Sequence, residues 1–371
     1  MNAGFQPPPY PYDRLDPLKA LAAAHEDGLV DLSVGTPCDP PSAAVVTALG
    51  ASGTEAGYPA SIGSAAFRVA AAGWLERRFG VGLDPSDLAA CVGTKEFVAN
   101  VPHILRLRDP QRDTVLYPAV SYPTYAMGAL LAGCRAVPVA VDESWHLDIS
   151  SIDDADARRA LCLWVNTPAN PTGAVDDLGA AAAWGREHGV PVFSDECYVE
   201  FTWSGARHTI LEHGLDGLVA VHSLSKRSNM AGLRAGFYAG DRGLVRYLAE
   251  VRKHVGLMMP GPAQLAASVA LEDDAHLEKQ RERYRVRLGI MREAFAEAGV
   301  DTPFPEGTFY LWVAAPEGDA WAFTERLAKE AGVLVSPGEF YGSDGAGYVR
   351  VAVVQPTARL ERAADRISAM S

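Results

Sequence analysis

The chain has 371 residues, 48% of them hydrophobic and 21% charged, the composition of a globular protein built as one large domain or two medium ones. A formal net charge of −13 argues against nucleic acid and anionic membrane surfaces, so an anionic ligand would have to be held by local arginines and backbone amides. Five scattered cysteines without a CxxC pair, no signal-type apolar core and no bilayer-length run argue against a disulfide framework, a zinc site, export or membrane insertion, and a cytoplasmic protein is expected.

In chain order, the proline-rich first dozen residues read as an extended arm. From about residue 89, short apolar runs alternate with alanine-rich helical stretches. The runs are TVLYP (114–118), ALCLWVN (160–166), VPVFSDE (190–196), LVAVHSL (218–224) and AGFYAGD (235–241), with helices predicted over 96–108 and 176–189. Runs that are apolar throughout and separated by helices predict a mostly parallel sheet covered on both faces. A long charged helix is predicted over 276–299, leading into a smaller lobe built from 308–314, 332–338 and 347–354. The expected division is a large domain over 36–275 and a smaller, discontinuous α+β domain over 1–35 and 276–371.

Ligands gather at the carboxyl ends of parallel strands, and the polar residues of interest fall there. SLSKRSNMAGLR (223–234) sets Lys226 just past an apolar run, between serines, with Arg234 eight residues on. An amine for an aldehyde, with hydroxyls and a guanidinium for a phosphate, is what pyridoxal phosphate requires. Lys226 would meet the aldehyde and later move the proton at the substrate Cα; alone, it would read as a surface lysine. Asp195 would face the pyridine nitrogen and keep the ring cationic, or merely cap the turn after its strand. Asn170, in an NPTG turn, and Tyr198 would donate to the cofactor's phenolic oxygen. Gly93 and Thr94, in VGTKE, start a helix whose free N–H groups favour the phosphate, with Ser223, Ser225 and Arg234 completing the cup; an ordinary N-cap at Thr94 is compatible with this. Tyr122, in SYPTY, would stack on the ring, or simply pack. Arg350, in GYVRVAV, sits among apolar residues and needs an anionic partner, either a substrate α-carboxylate or a carboxylate of the chain. Gly35, in LSVGTP, would let the backbone approach that carboxylate. No HExxH, GxGxxG or P-loop pattern occurs, and His222 and His254 read as structural.

Together these stretches resemble the class I and II aminotransferases of fold type I. The order LSVGTP, GYPASIG, GTKE, SYPTY, NTPANPTG, SDECY, SLSKRSNMAGLRAGF and YVRVAV covers essentially the whole chain. The resemblance implies pyridoxal 5′-phosphate as cofactor and a homodimer with a shared site, in which Tyr58 reaches the phosphate of the neighbouring subunit. It also implies a ping-pong exchange through pyridoxamine phosphate between an amino acid and a keto acid. SDECYVEFTW, HSLSKRSNMAGLRAGFYAGD and VRKHVGLMMPGPAQ are similar to the actinobacterial N-succinyldiaminopimelate aminotransferases of lysine biosynthesis, which implies glutamate and 2-oxoglutarate as the other substrate pair. No residue is singled out for the distal carboxylate. Lys95, beside the phosphate cup, Arg227 and Lys253 are the cationic candidates, with a surface role the alternative for each. The alternatives are an aminotransferase for another amino acid, and a carbon–sulfur β-lyase or a decarboxylase on the same scaffold, which share the cofactor residues. A ligand-sensing regulator would need a DNA-binding helix-turn-helix, and the proline-rich stretch of about thirty residues ahead of LSVGTP, in an acidic chain, does not suggest one.

Overall fold

The computed structural model describes residues 5–370; the parts of the expected small domain at residues 1–4 and 371 lie outside the described residues. The strands are, in chain order, β1 (Val30–Asp31), β2 (Leu88–Cys91), β3 (Thr114–Pro118), β4 (Arg135–Val139), β5 (Ala160–Asn166), β6 (Val192–Asp195), β7 (Leu218–Ser223), β8 (Gly236–Gly240), β9 (Tyr310–Ala314), β10 (Val333–Leu334), β11 (Ser336–Pro337) and β12 (Tyr348–Ala352).

Seven of them form one sheet in the order β2-β8-β7-β6-β5-β3-β4. Strands β3 to β7 pair parallel, while β8 runs antiparallel to both β7 and β2. The apolar runs predicted both the strands and the covering of two faces. Successive residues divide between two cores: Leu88, Ala90 and Ala220 face the helices Ala65–Phe79 and Gly261–Glu272, whereas Ala89, Cys91, Val219 and Val221 face Thr94–Arg108 and Arg242–Val255. That is the period-two alternation of a strand with apolar side chains on both faces.

A second, antiparallel sheet, β11-β12-β9, carries its own core with the helices Asp274–Glu297, Ala320–Ala331 and Thr357–Ser368. The predicted charged helix begins at Asp273, whose side chain accepts from the His276 amide, and it has stopped before Gly299, at φ +79°. The run over 332–338 is not one strand. Its first part, β10, pairs parallel with β1 and its second, β11, pairs antiparallel with β12. Pro337 lacks an N–H, and an edge strand tolerates that loss. The arm also departs from expectation: Pro11–Leu15 coils into a 3-10 helix, continued by the helix Asp16–Ala23. Proline near each start supplies a preset φ where no N–H is needed.

Candidate active site

Most of the residues singled out from sequence line one cavity of about 380 Å³ at a single edge of the seven-stranded sheet. Parallel strands β5, β6 and β7 end there in Asn166, Asp195 and Ser223, and Asn166 stands opposite Asp195 in register. The reversal of β8 brings Arg234 to the same edge. Gly236, at the start of β8, pairs with Ser223 on one side and with Cys91, the end of β2, on the other. A residue entering β8 therefore meets the residues that leave β2 and β7.

Gly93 follows β2 with φ +74° and is the N-cap of the helix Thr94–Arg108, without a side-chain cap. A Cβ at Gly93 would overlap the Arg234 guanidinium, so the absence of a side chain lets Arg234 lie against the helix start. Arg234 donates from Nη1 to the Ala231 carbonyl at 2.9 Å and has no ion pair among the described residues. The Ser225 amide donates to Ser223 Oγ at 3.1 Å, and Thr94 Oγ1 sits 3.3 Å from Cys197 Sγ. Uncapped N–H groups, a guanidinium without an ion pair among the described residues and hydroxyls thus converge on one spot, the donor set of a phosphate site.

Deeper in, the Asp195 carboxylate is buried, accepting from Tyr125 Oη at 2.8 Å and from the Cys197 amide at 3.2 Å. Burial pushes its pKa up, opposed by those two donors. Tyr122 lies edge-on to Tyr125, the ring centroids 6.0 Å apart.

Lys226 belongs to the short helix Leu224–Arg227 after β7, and its Nζ donates to the Gly35 carbonyl. Burial, and then the Arg350 charge, lower its pKa to about 8. Arg350 projects from β12, 2% exposed, and donates to Asn170 Oδ1 at 2.8 Å, the Ser33 carbonyl at 2.6 Å and Tyr12 Oη at 3.3 Å. Its guanidinium stacks between the rings of Tyr310 and Tyr341. Among the described residues no carboxylate pairs with Arg350, so the intrachain ion pair expected as one alternative is not made. A Cβ at Gly35 would overlap the Tyr310 hydroxyl. In this structure the close approach that Gly35 permits is therefore to Tyr310.

Some of the sequence-derived residues fall elsewhere. Tyr58 is fully exposed and outside the cavity. Arg227, read as a surface residue or a distal-carboxylate ligand, is neither. It is 3% exposed, lies over the Trp74 ring and donates to the Ala270 carbonyl. Lys253 does not line the cavity. Lys95 does, with Nζ 3.4 Å from Tyr10 Oη. His222 is enclosed by Trp74 and Phe237, where burial lowers its pKa to about 3. Tyr10, Tyr12, Tyr125, Cys197 and Tyr310 line the cavity without having been predicted. Tyr125, three residues after Tyr122 at a helix start, carried a faint signal; Tyr10 and Tyr12 in the arm and Tyr310 in an apolar run carried none.

The profile of the aminotransferase class I and II family matches residues 27–367. The chain is 42% identical, over 97% of its length and 99% of the relative's, to a 4-dedimethylamino-4-oxo-anhydrotetracycline transaminase of Streptomyces rimosus. It is 36% identical to an LL-diaminopimelate aminotransferase of Aquifex aeolicus, covering 97% of this chain and 96% of that one. Among solved structures, a probable N-succinyldiaminopimelate aminotransferase of Thermus thermophilus superposes with a TM-score of 0.88 at 32% identity, covering 97% of this chain and all of the other. What these proteins share is the transfer of an amino group, and the chain belongs to the class I and II aminotransferases, which work with pyridoxal phosphate.

Proposed function

We propose that this aminotransferase exchanges an amino group between the glutamate/2-oxoglutarate pair and N-succinyl-LL-2,6-diaminopimelate, as a cytoplasmic homodimer. The observation that carries the amino-acid part is Arg350. A buried guanidinium without a carboxylate partner among the described residues, lining the same cavity as the Lys226 amine, is a receptor for an α-carboxylate beside a base. The choice of diaminopimelate rests on the flanking sequences and on the similarity to the Aquifex and Thermus aminotransferases.

The donor set fits the cofactor: the missing Cβ at Gly93 makes room for the Arg234 guanidinium, which has no ion pair among the described residues, and a buried carboxylate lies deeper along the same edge. When bound, pyridoxal phosphate supplies an aldehyde for the amine and a cationic ring that accepts electrons. In this reading Gly93, Thr94, Ser223, Ser225 and Arg234 hold the phosphate. Lys95 borders that cup, and Tyr58 of a second copy completes it. Asp195 holds the proton of the ring nitrogen, Tyr122 lies against the ring, and Asn170 and Tyr198 face its phenolic oxygen. Arg350, with the Gly35 backbone nearby, fixes the α-carboxylate and so orients the Cα–H toward Lys226, whose free amine takes the proton. The large domain over 36–275 and the discontinuous domain over 1–35 and 276–371 are part of the same proposal, with the site at their junction.

The test is a pair of half-reactions followed by visible absorbance. Protein loaded with pyridoxal phosphate is mixed with glutamate and then with N-succinyl-2-amino-6-oxopimelate. Glutamate is expected to bleach the band and the keto diacid to restore it. Recovery with a different keto acid alone would remove the diaminopimelate assignment, and no bleaching by glutamate would remove the donor.

A further inference from the structure

Tyr310 touches three of the residues to which the proposed function gives work, although it stood in a run read only as part of the smaller lobe. It comes from β9, in the smaller sheet, and is 1% exposed. Its hydroxyl lies 2.8 Å from that of Tyr198. Its ring lies under the Arg350 guanidinium, 4.2 Å from carbon to centroid. Its tip fills the space that a Cβ on Gly35 would need. These contacts fix the tyrosine at both ends: ring against cation, hydroxyl against hydroxyl.

The hydroxyl pair has a direction. A tyrosine hydroxyl has one proton to give, so in this pair one donates and the other accepts. The cation over the Tyr310 ring favours negative charge on its oxygen and makes its O–H the stronger donor. Burial raises the pKa of both phenols and the Arg350 charge opposes it at both, while contact with Tyr310 raises that of Tyr198 further, which leaves Tyr310 the more acidic of the two. With Tyr310 donating and Tyr198 accepting, the Tyr198 proton is left free to point into the cavity.

We propose that Tyr310 is a positioning residue that donates its hydroxyl proton to Tyr198, aiming the Tyr198 O–H into the cavity and linking that donor to the carboxylate receptor Arg350. The inference rests on the reading of Tyr198 as a donor to the cofactor's phenolic oxygen. Tyr310→Phe keeps the ring under Arg350 and removes only the hydroxyl, so packing is preserved.

The readout is the pH midpoint at which the visible absorbance of the loaded protein changes, with no turnover involved. Losing a donor to an anionic oxygen moves that midpoint upward, by roughly 0.5–1 unit for one hydrogen bond of ordinary strength. Tyr198→Phe and Tyr310→Phe are both expected to raise it, and the double variant to match Tyr198→Phe alone, since one residue acts through the other. If Tyr198→Phe moves the midpoint while Tyr310→Phe leaves it in place, or if the two shifts add, the inference about Tyr310 is overturned and the reading of Tyr198 stands. If Tyr198→Phe itself has no effect, the reading of Tyr198 fails and the inference falls with it. Thermal unfolding of each variant checks that the fold is retained.

Discussion

Lys226 has an amine whose affinity for a proton is set by its neighbours. Burial and the charges of Arg350 and Arg234 lower its pKa, while Asp195 and Cys197 oppose them, and the balance stands near 8. A solvated lysine titrates near 10.4. The sign follows from the direction of the shift: below about 8 the group is an ammonium and inert as a nucleophile, and above it the free amine dominates. Amine-directed labelling of the cofactor-free protein, read peptide by peptide by mass spectrometry, should therefore give a Lys226 midpoint near pH 8. A Lys226 midpoint at pH 10 or above would show that the site does not depress it. In the sequence, the apolar run ahead of Lys226 was enough to place it at a strand end. The companions that tune it were not equally visible. Arg234 and Arg350 stood in motifs, but Tyr310 was concealed by its type, since an aromatic inside TFYLWVA reads as packing until its hydroxyl is seen to have a partner.

At the scale of elements, the strand and helix pattern was readable because each apolar run is buried on two faces and therefore apolar at every position. Direction was not readable. Nothing in AGFYAGD distinguishes a strand running with its neighbours from one running against them, and β8 runs against. That reversal brings Arg234 to the start of the helix Thr94–Arg108, where Gly93 makes room for it. Gly93→Ala adds a methyl that overlaps the guanidinium, at a φ of +74° that L residues rarely adopt. Displacement of Arg234 removes a charge-assisted contact worth about 1.5–3 kcal/mol. Affinity for pyridoxal phosphate, measured by titrating the cofactor-free protein, should fall by roughly tenfold to a hundredfold. Unchanged affinity would mean that Arg234 does not serve the phosphate. The arm was read only in part at this scale: residues 5–10 form no helix, as the prolines suggested, but Pro11 starts a short helical turn, and Tyr10 and Tyr12 line the cavity.

For the whole molecule, Tyr58 is the residue that the single chain does not use. It is fully exposed, a poor position for an aromatic ring unless a second copy covers it. The proposed dimer predicts that sedimentation will give twice the chain mass and that Tyr58→Phe will weaken pyridoxal phosphate binding several-fold, by loss of one hydroxyl contact, while leaving the sedimentation unchanged. A monomer that binds the cofactor normally would remove Tyr58 from the site. The division of labour between the two sheets has a further consequence. Lys226 hangs from the seven-stranded sheet and Arg350 from the three-stranded one, each with its own core. A molecule that engages both side chains bridges the two sheets. Occupancy of the site and cohesion of the chain then become one variable, so a bound substrate raises the work needed to pull the molecule apart.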